Sequence, residues 1–414
     1  MKKTLVLFFL ILGLVVSGLA IDDARLLRMP DINGDLIVFV YAGDIWSVSA
    51  TGGDASKLTS HLGMEIYPKI SPDGRWIAFS AEYSGSRQVY VMPSTGGTPR
   101  QLTFYNDVGM MPPRGGFDNQ TMDWTPDSKA ILFRANRTPY GRRMGKYYLV
   151  TLKGGLETPL QIPESGGGTF SPSGQEIVYT PISREFRTWK RYKGGRAQDV
   201  WIYDLANDTS QRLTTFEGTD QHPIWHKDKI FYVSDQDLVL NIYSYDLASK
   251  EIVQVTRHTD YDVLWPSGQN GMVVYENGGY LNKLDLESGQ SEKITVNIKY
   301  DFPGLLPYFK NVKDDIASFD ISATGKRAIF DARGDIFTVP AENGITYNLT
   351  NTQGIREMNP TWSPDGRYVA FDSDKTGEYE LYVIDRAEDD ALIQLTKNSN
   401  SWRYAALWSP DSGK

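Results

Sequence analysis

Arg184, Arg187, Lys190, Arg191, Lys193 and Arg196 lie within one short stretch, interleaved with Phe186, Trp189 and Tyr192 and opposed only by Glu185. Planar guanidinium forks beside aromatic platforms suit a carboxylate or a peptide backbone, and they also suit single-stranded nucleic acid. Arg137, Arg142, Arg143 and Lys146 form a second basic cluster, and Arg114 stands in Pro112-Pro113-Arg114-Gly115-Gly116-Phe117. The plain alternative is a solvated rim whose cations pair with nearby Asp and Glu. The site expected from these residues is a cationic mouth that holds a peptide's carboxylate, made by Arg114, Arg143, Arg187, Lys190 and Arg191 with Trp189 as the platform.

Other chemistries find little footing. There is no cysteine, which excludes disulfides, thiolate metal sites and a cysteine nucleophile. His222 and His226 have the i, i+4 spacing of a zinc-binding helix, but Pro223 and Trp225 point to a strand, where i and i+4 stand about 13 Å apart. They read as structural, as do the lone His61 and His258. Gly166-Gly167-Gly168 lacks the Gly-Lys-Ser/Thr of a phosphate loop and reads as a connection. Asp31-Ile32-Asn33-Gly34-Asp35 is too short for a calcium loop and reads as a turn. No Gly-x-Ser-x-Gly elbow occurs. No catalytic residue, metal or cofactor is expected. The net charge of -8 argues against a dedicated nucleic-acid binder.

The elements that must carry the basic loops are set by a repeat. Ser71-Pro72-Asp73-Gly74, Thr125-Pro126-Asp127-Ser128, Ser171-Pro172-Ser173-Gly174, Ser363-Pro364-Asp365-Gly366 and Ser409-Pro410-Asp411 are one phrase, and the first four precede an apolar run such as Trp76-Ile77-Ala78-Phe79. Pro presets the turn and Gly accepts a positive φ. A third strand such as Gln88–Met92 follows, then a Gly pair, then a short strand ending in Leu-Thr, as at Leu58-Thr59, Leu102-Thr103, Leu213-Thr214, Leu349-Thr350 and Leu395-Thr396. The second strands are expected to alternate apolar and polar. Four short antiparallel strands per repeat make the blade of a β-propeller. Six units between Leu27 and Val296 average about 45 residues, the size of such a blade. In a four-stranded meander the connections between second and third strands and between blades share one face. That face collects the basic loops of blades three and four.

The remaining segments follow from interruptions of the period. Residues 1–20 read as a secretory signal: Lys2 and Lys3, the apolar run Leu5 to Val16, then Ser17-Gly18-Leu19-Ala20. A periplasmic or secreted chain from near Ile21 is expected, with no further membrane segment. Residues 21–296 form the six-bladed propeller, closed around an axial channel. Residues 297–315, with Pro303 and Pro307, read as a linker. Gly334-Asp335-Ile336-Phe337-Thr338-Val339 then echoes Gly43-Asp44-Ile45-Trp46-Ser47-Val48, so residues 316–414 read as the first blades of a second, truncated propeller. The fold class is all-β.

Three longer phrases are more specific: Pro30 to Val40, Pro113-Arg114-Gly115-Gly116-Phe117-Asp118-Asn119, and Phe186 to Gly195. With the TolB-type, WD-like repeat and the restart, they resemble the N-terminal half of the tricorn protease family. The resemblance implies a large serine peptidase acting on oligopeptides. It also implies a six-bladed and a seven-bladed propeller, a PDZ-like domain and a catalytic core in that order, assembled as a hexamer. The propellers would serve as routes to and from the active site. The PDZ-like and catalytic domains have no counterpart in these 414 residues, so the chain is expected to be non-catalytic by itself. The family places a basic pair, which holds the substrate's C-terminal carboxylate, in the loop equivalent to that of Arg114; Arg114 matches and Gly115 does not. The archaeal member is intracellular, an alternative location to the one the signal implies. Two other readings stand beside this one: a stand-alone TolB-like scaffold for protein partners, and the propeller cap of a prolyl-oligopeptidase-like hydrolase.

Overall fold

The computed structural model describes residues 20–105, 119–137, 145–182, 190–302, 308–398 and 406–414. The expected signal segment falls outside these residues, except for its last position. No helix among the described residues is long and apolar enough to cross a membrane. The chain divides into two compact units, residues 1–301 and 302–414.

Six four-stranded antiparallel sheets build the described part of the first unit, each a meander in chain order. The first, inner strands are Arg28–Asn33, Glu65–Ile70, Gln120–Trp124, Gly168–Phe170, Asp220–His226 and Val263–Gln269. Each packs against the inner strand of the next sheet, and that of blade six packs against that of blade one, so the ring closes. The seam is held from outside by a small sheet. Val296–Lys299 runs antiparallel to Ala20–Ile21 and parallel to Gly53–Asp54. Lys299 pairs with Asp54 at 2.6 Å and Arg28 with Glu276. The stretch read as a linker thus begins with a strand.

Each blade is covered on both faces, so its second strand is buried nearly throughout. In Trp76–Ala81 the residues Ile77 to Ala81 are all buried. Ile77 and Phe79 join the apolar cluster with blade one, while Ala78 joins the cluster with blade three. The expected alternation of apolar and polar residues is therefore absent, because a blade between two neighbours has no solvent face.

Two repeated phrases have local physical causes. Ser71 donates to Asp73 Oδ1 at 2.6 Å and accepts from Trp76 N at 3.0 Å, while Gly74 takes a φ of 72°. Ser363 and Asp365 repeat this in the second unit. Blades five and six, which lack the phrase, use two-residue turns instead, Lys227-Asp228 and Asn270-Gly271, the latter with φ of 56° and 83°. The threonine that ends each of these repeats, after Leu or, at Thr256, after Val255, is a clamp. Thr59, Thr103, Thr214, Thr256, Thr350 and Thr396 each accept, through Oγ1, the N–H at the start of the third strand. Thr103 also donates to Gln88 Oε1 at 2.7 Å, and it is fully buried. Thr103→Val is expected to strand the Val89 N–H, while Gln88 Oε1 keeps the Asn119 amide, and to cost about 2 kcal/mol; Thr103→Ser keeps both bonds. Urea unfolding of the two variants checks this; equal midpoints would remove the clamp from the account.

The second unit contains two sheets of the same kind, starting with Ile316–Ile321 and Glu357–Trp362. Their shared core includes Ile329, Ile336, Trp362, Val369 and Phe371. After them, Trp408 Nε1 donates to Thr361 O and Ser412 Oγ accepts from Asp365 N at 3.0 Å. Blade three holds blade two in the same way, with Trp124 Nε1 on Lys69 O and Ser128 Oγ on Asp73 N.

Candidate functional site

The inner strands of the first unit converge on an axial cavity of about 80 Å³ that all six of them line. Its geometry begins with proline. Met29-Pro30, Tyr67-Pro68, His222-Pro223 and Trp265-Pro266 sit at breaks in strand register. Proline has no N–H for the ladder, so a bulge forms where it enters a strand. The residue before each proline is left-handed, with φ of 47°, 55°, 51° and 49°. Bulky residues rarely adopt this conformation, which costs on the order of 1–3 kcal/mol each.

These four residues form a collar. The rings of Tyr67 and Trp265 lie 5.4 Å apart, and those of His222 and Trp265 4.9 Å apart. Blades three and four contribute Met122 and Gly167 to the same lining. Gly168 has no room for a side chain, since a Cβ there would lie 2.4 Å from the Tyr147 hydroxyl. The triple glycine read as a connection therefore leads into the inner strand of blade four.

Next to the collar lies a ring of six residues, five of them polar. Asp31, Lys69, Asp123, Thr169, Ile224 and Ser267 hold the same register, each opposite the third residue of its second strand. Lys69 Nζ donates to Ser267 Oγ, which donates to Asp31 Oδ1 at 2.6 Å. Asp31 Oδ2 accepts Ile70 N at 2.7 Å, and Asp123 Oδ2 accepts Phe170 N at 2.9 Å. Both carboxylates thus fasten the next blade's inner strand, as Asp320 does for Trp362 N in the second unit. Burial pushes the Asp123 carboxyl up to about 6, against the pull of the Phe170 N–H and Lys69. Burial raises Asp31 as well, although Lys69, Ser267 and Ile70 N all oppose it.

Sequence reasoning missed this site. Asp31 was read into a turn, but it lies in the inner strand, with the reversal at Gly34. His222 was read as structural; it lines the cavity, while His226 pairs with Glu287 at 2.8 Å. The available signal was the proline just before the middle of four inner strands.

Of the residues expected at the cationic mouth, Arg114, Arg143, Arg187 and Trp189 lie outside the described residues. Lys190 pairs with Asp262 at 2.6 Å, next to the inner strand of blade six, and Arg191 Nε donates to Leu238 O at 3.3 Å. Lys193 lies 3.7 Å from Glu217. Arg137 pairs with Glu157 at 3.0 Å and stacks over Tyr105 and Tyr148. No group of three or more His, Cys, Asp or Glu side chains that could hold a metal occurs among the described residues.

Residues 24–290 match the family described as the tricorn protease N-terminal beta propeller domain. The tricorn protease homolog of Saccharolobus solfataricus is 26% identical over 351 residues, covering 84% of this chain and 31% of that protein. Tricorn protease homolog 1 of Streptomyces coelicolor is 27% identical over 375 residues, covering 88% and 33%. The chain thus spans about a third of the length of these curated relatives. A putative tricorn-like protease N-terminal subunit of Sulfurisphaera tokodaii is 27% identical over 183 residues, 43% of this chain and 87% of that protein. The crystal structure of the tricorn protease has the same fold, with a TM-score of 0.57 at 18% identity, over 94% of this chain and 46% of that one.

Proposed function

The chain belongs to the tricorn protease N-terminal β-propeller family, and from that membership we propose that it is the part of an extracytoplasmic tricorn-like serine peptidase that receives and holds oligopeptides without cutting them. The observation that carries the reading is the family match over residues 24–290, the same residues that close around the axial cavity. The catalytic step would belong to PDZ-like and core domains of the same enzyme, and the working assembly would be a hexamer. A subunit of that kind has a parallel in name in Sulfurisphaera tokodaii, where N-terminal and C-terminal subunits are separate proteins.

The peptide's carboxylate would be held at the mouth by Arg114, Arg143, Arg187, Lys190 and Arg191, with Trp189 beneath it. Lys190 reaching Asp262 supports a loop that folds toward the start of the inner strands. Charge-assisted bonds from Arg contribute about 1.5–3 kcal/mol each. Replacing Arg187 and Arg191 together by Ala is therefore expected to weaken a free-acid peptide well beyond tenfold. The same peptide with an amidated end should bind poorly from the start and hardly respond. Calorimetric titration of both peptides tests the reading. Equal affinity for acid and amide, or peptide turnover by the purified chain that a serine-directed inhibitor abolishes, would overturn it.

A further inference from the structure

We infer that the axial cavity binds an organic cation, the N-terminal ammonium or a basic side chain of a peptide, between the rings of Tyr67, His222 and Trp265 and the carboxylates of Asp31 and Asp123. That the cation comes from a peptide rests on the function proposed above; the preference for a cation rests on the cavity alone.

Charge is the first argument. The ring holds two carboxylates and one ammonium at a single register, and its other members, Thr169, Ile224 and Ser267, carry no charge. Lys69 offsets only one of the two acids. A second cation completes the balance, whereas an anion would face the excess charge inside a low-dielectric wall.

The second argument is that the ring already handles an ammonium. Lys69 Nζ donates a hydrogen bond to Ser267 Oγ, which donates one to Asp31 Oδ1. Ser267 Oγ is thus already oriented as the acceptor of a primary amine. Asp31 has both oxygens engaged, one by Ser267 and one by Ile70 N. Asp123 lines the cavity and is not fully enclosed, and only its Oδ2 is engaged, by Phe170 N. It is the carboxylate an incoming cation would meet.

The collar supplies the third. Trp265 lies within aromatic contact of both Tyr67 and His222, and ring faces attract cations most strongly where water is excluded. Tyr67, His222 and Trp265 are all held left-handed, and strain of this kind collects at ligand clamps. The volume, about 80 Å³, suits the end of a side chain or of a chain and not a folded segment.

Titration calorimetry on the full chain at neutral pH tests this with three probes: trialanine amide with a free amino end, its acetylated form, and acetyl-Ala-Lys-Ala amide. The acetylated trialanine amide is expected not to bind, and the two cations are compared to show which source the cavity prefers. Asp123→Asn, which keeps an oxygen for Phe170 N, should weaken the preferred cation at least tenfold. Lys69→Met removes the resident ammonium and should tighten it by a similar factor. The opposite signs separate a site from a folding defect, and if one variant fails to fold the other still decides. The inference fails if the neutral peptide binds as well as the cations, if no cation binds, or if neither substitution changes affinity. None of the probes has a C-terminal carboxylate. Loss of cation binding with free-acid binding intact would remove this inference and leave the mouth; the reverse would remove the mouth and leave the cavity.

Discussion

Ile32→Lys is expected to leave the six-bladed unit unfolded at room temperature, while Ile321→Lys in the second unit has almost no effect. The two residues are equivalent: each follows the aspartate, Asp31 or Asp320, that fastens the next inner strand. Ile32 is fully buried, and a Cβ on Gly268 of blade six would lie 2.8 Å from its Cγ2. Ile321 is 57% exposed, and Ile316 and Phe319 of the same strand are exposed as well. A lysine at a fully buried site loses as much as about 3–5 pKa units, which at neutral pH costs roughly 4–5 kcal/mol because the amine folds in uncharged, before the lost packing is counted. That approaches the whole stability of a typical domain, about 5–15 kcal/mol. At an exposed strand position the change stays within about 0.5 kcal/mol. Peptide-resolved hydrogen exchange lets each unit report separately. Equal protection of the first unit in wild type and Ile32→Lys would show that blade six does not cover this strand.

The melting temperature of the first unit is expected to fall as pH rises from 5 to 8, and Glu65→Gln should remove a measurable part of that fall. Glu65 is fully buried at the start of blade two's inner strand, and burial pushes its carboxyl up to about 7. Its Oε2 accepts the Thr59 hydroxyl at 3.0 Å, and the Tyr83 hydroxyl, Thr59 and Lys57 all pull against the effect of burial. Asp44 faces it with a buried, unpartnered Oδ1 and raises it further. A carboxyl raised on folding adds stability that is complete below its unfolded value, near 4.5, and is lost as pH passes the folded value. The loss at Glu65 is on the order of 3 kcal/mol. Glu276, up to about 7, and Asp220, up to about 6, act in the same direction. The arrangement recurs at Asp220 and Glu357, which burial raises first and the neighbouring Asp199 and Asp335 raise further, against the pull of nearby Ser and Thr hydroxyls. Glutamine keeps an acceptor for Thr59 and offers an N–H to Asp44. Thermal melts of wild type and Glu65→Gln at matched ionic strength check this; parallel curves across the range would show that Glu65 carries no proton on folding.

The blade was legible in the sequence because its determinants are local. Pro72 and Gly74 set one turn, Ser71 and Asp73 bond within it, and Thr103 reaches back to Val89 in the same sheet. Such contacts span a few residues to one blade, so they recur wherever the phrase recurs. The apolar second strands were legible as strands. Their burial on both faces was not, because it depends on which neighbours a blade has.

The seam and the axial site needed the closed ring. Val296–Lys299 carries no mark of the strand it joins, since Ala20–Ile21 and Gly53–Asp54 meet it only when blade six reaches blade one. Asp31 and Ser267 are 236 residues apart and hydrogen-bonded. Within its own blade each of Asp31, Lys69 and Asp123 is one polar residue in a strand, and Met29, Tyr67, His222 and Trp265 are unrelated types at one position. A repeated four-stranded sheet, its turns and its Leu-Thr endings follow from the residues alone, because backbone hydrogen bonding and turn stereochemistry are decided over short distances. That six unlike residues face one axis follows from ring closure, a juxtaposition with no local energy to leave a pattern in the chain.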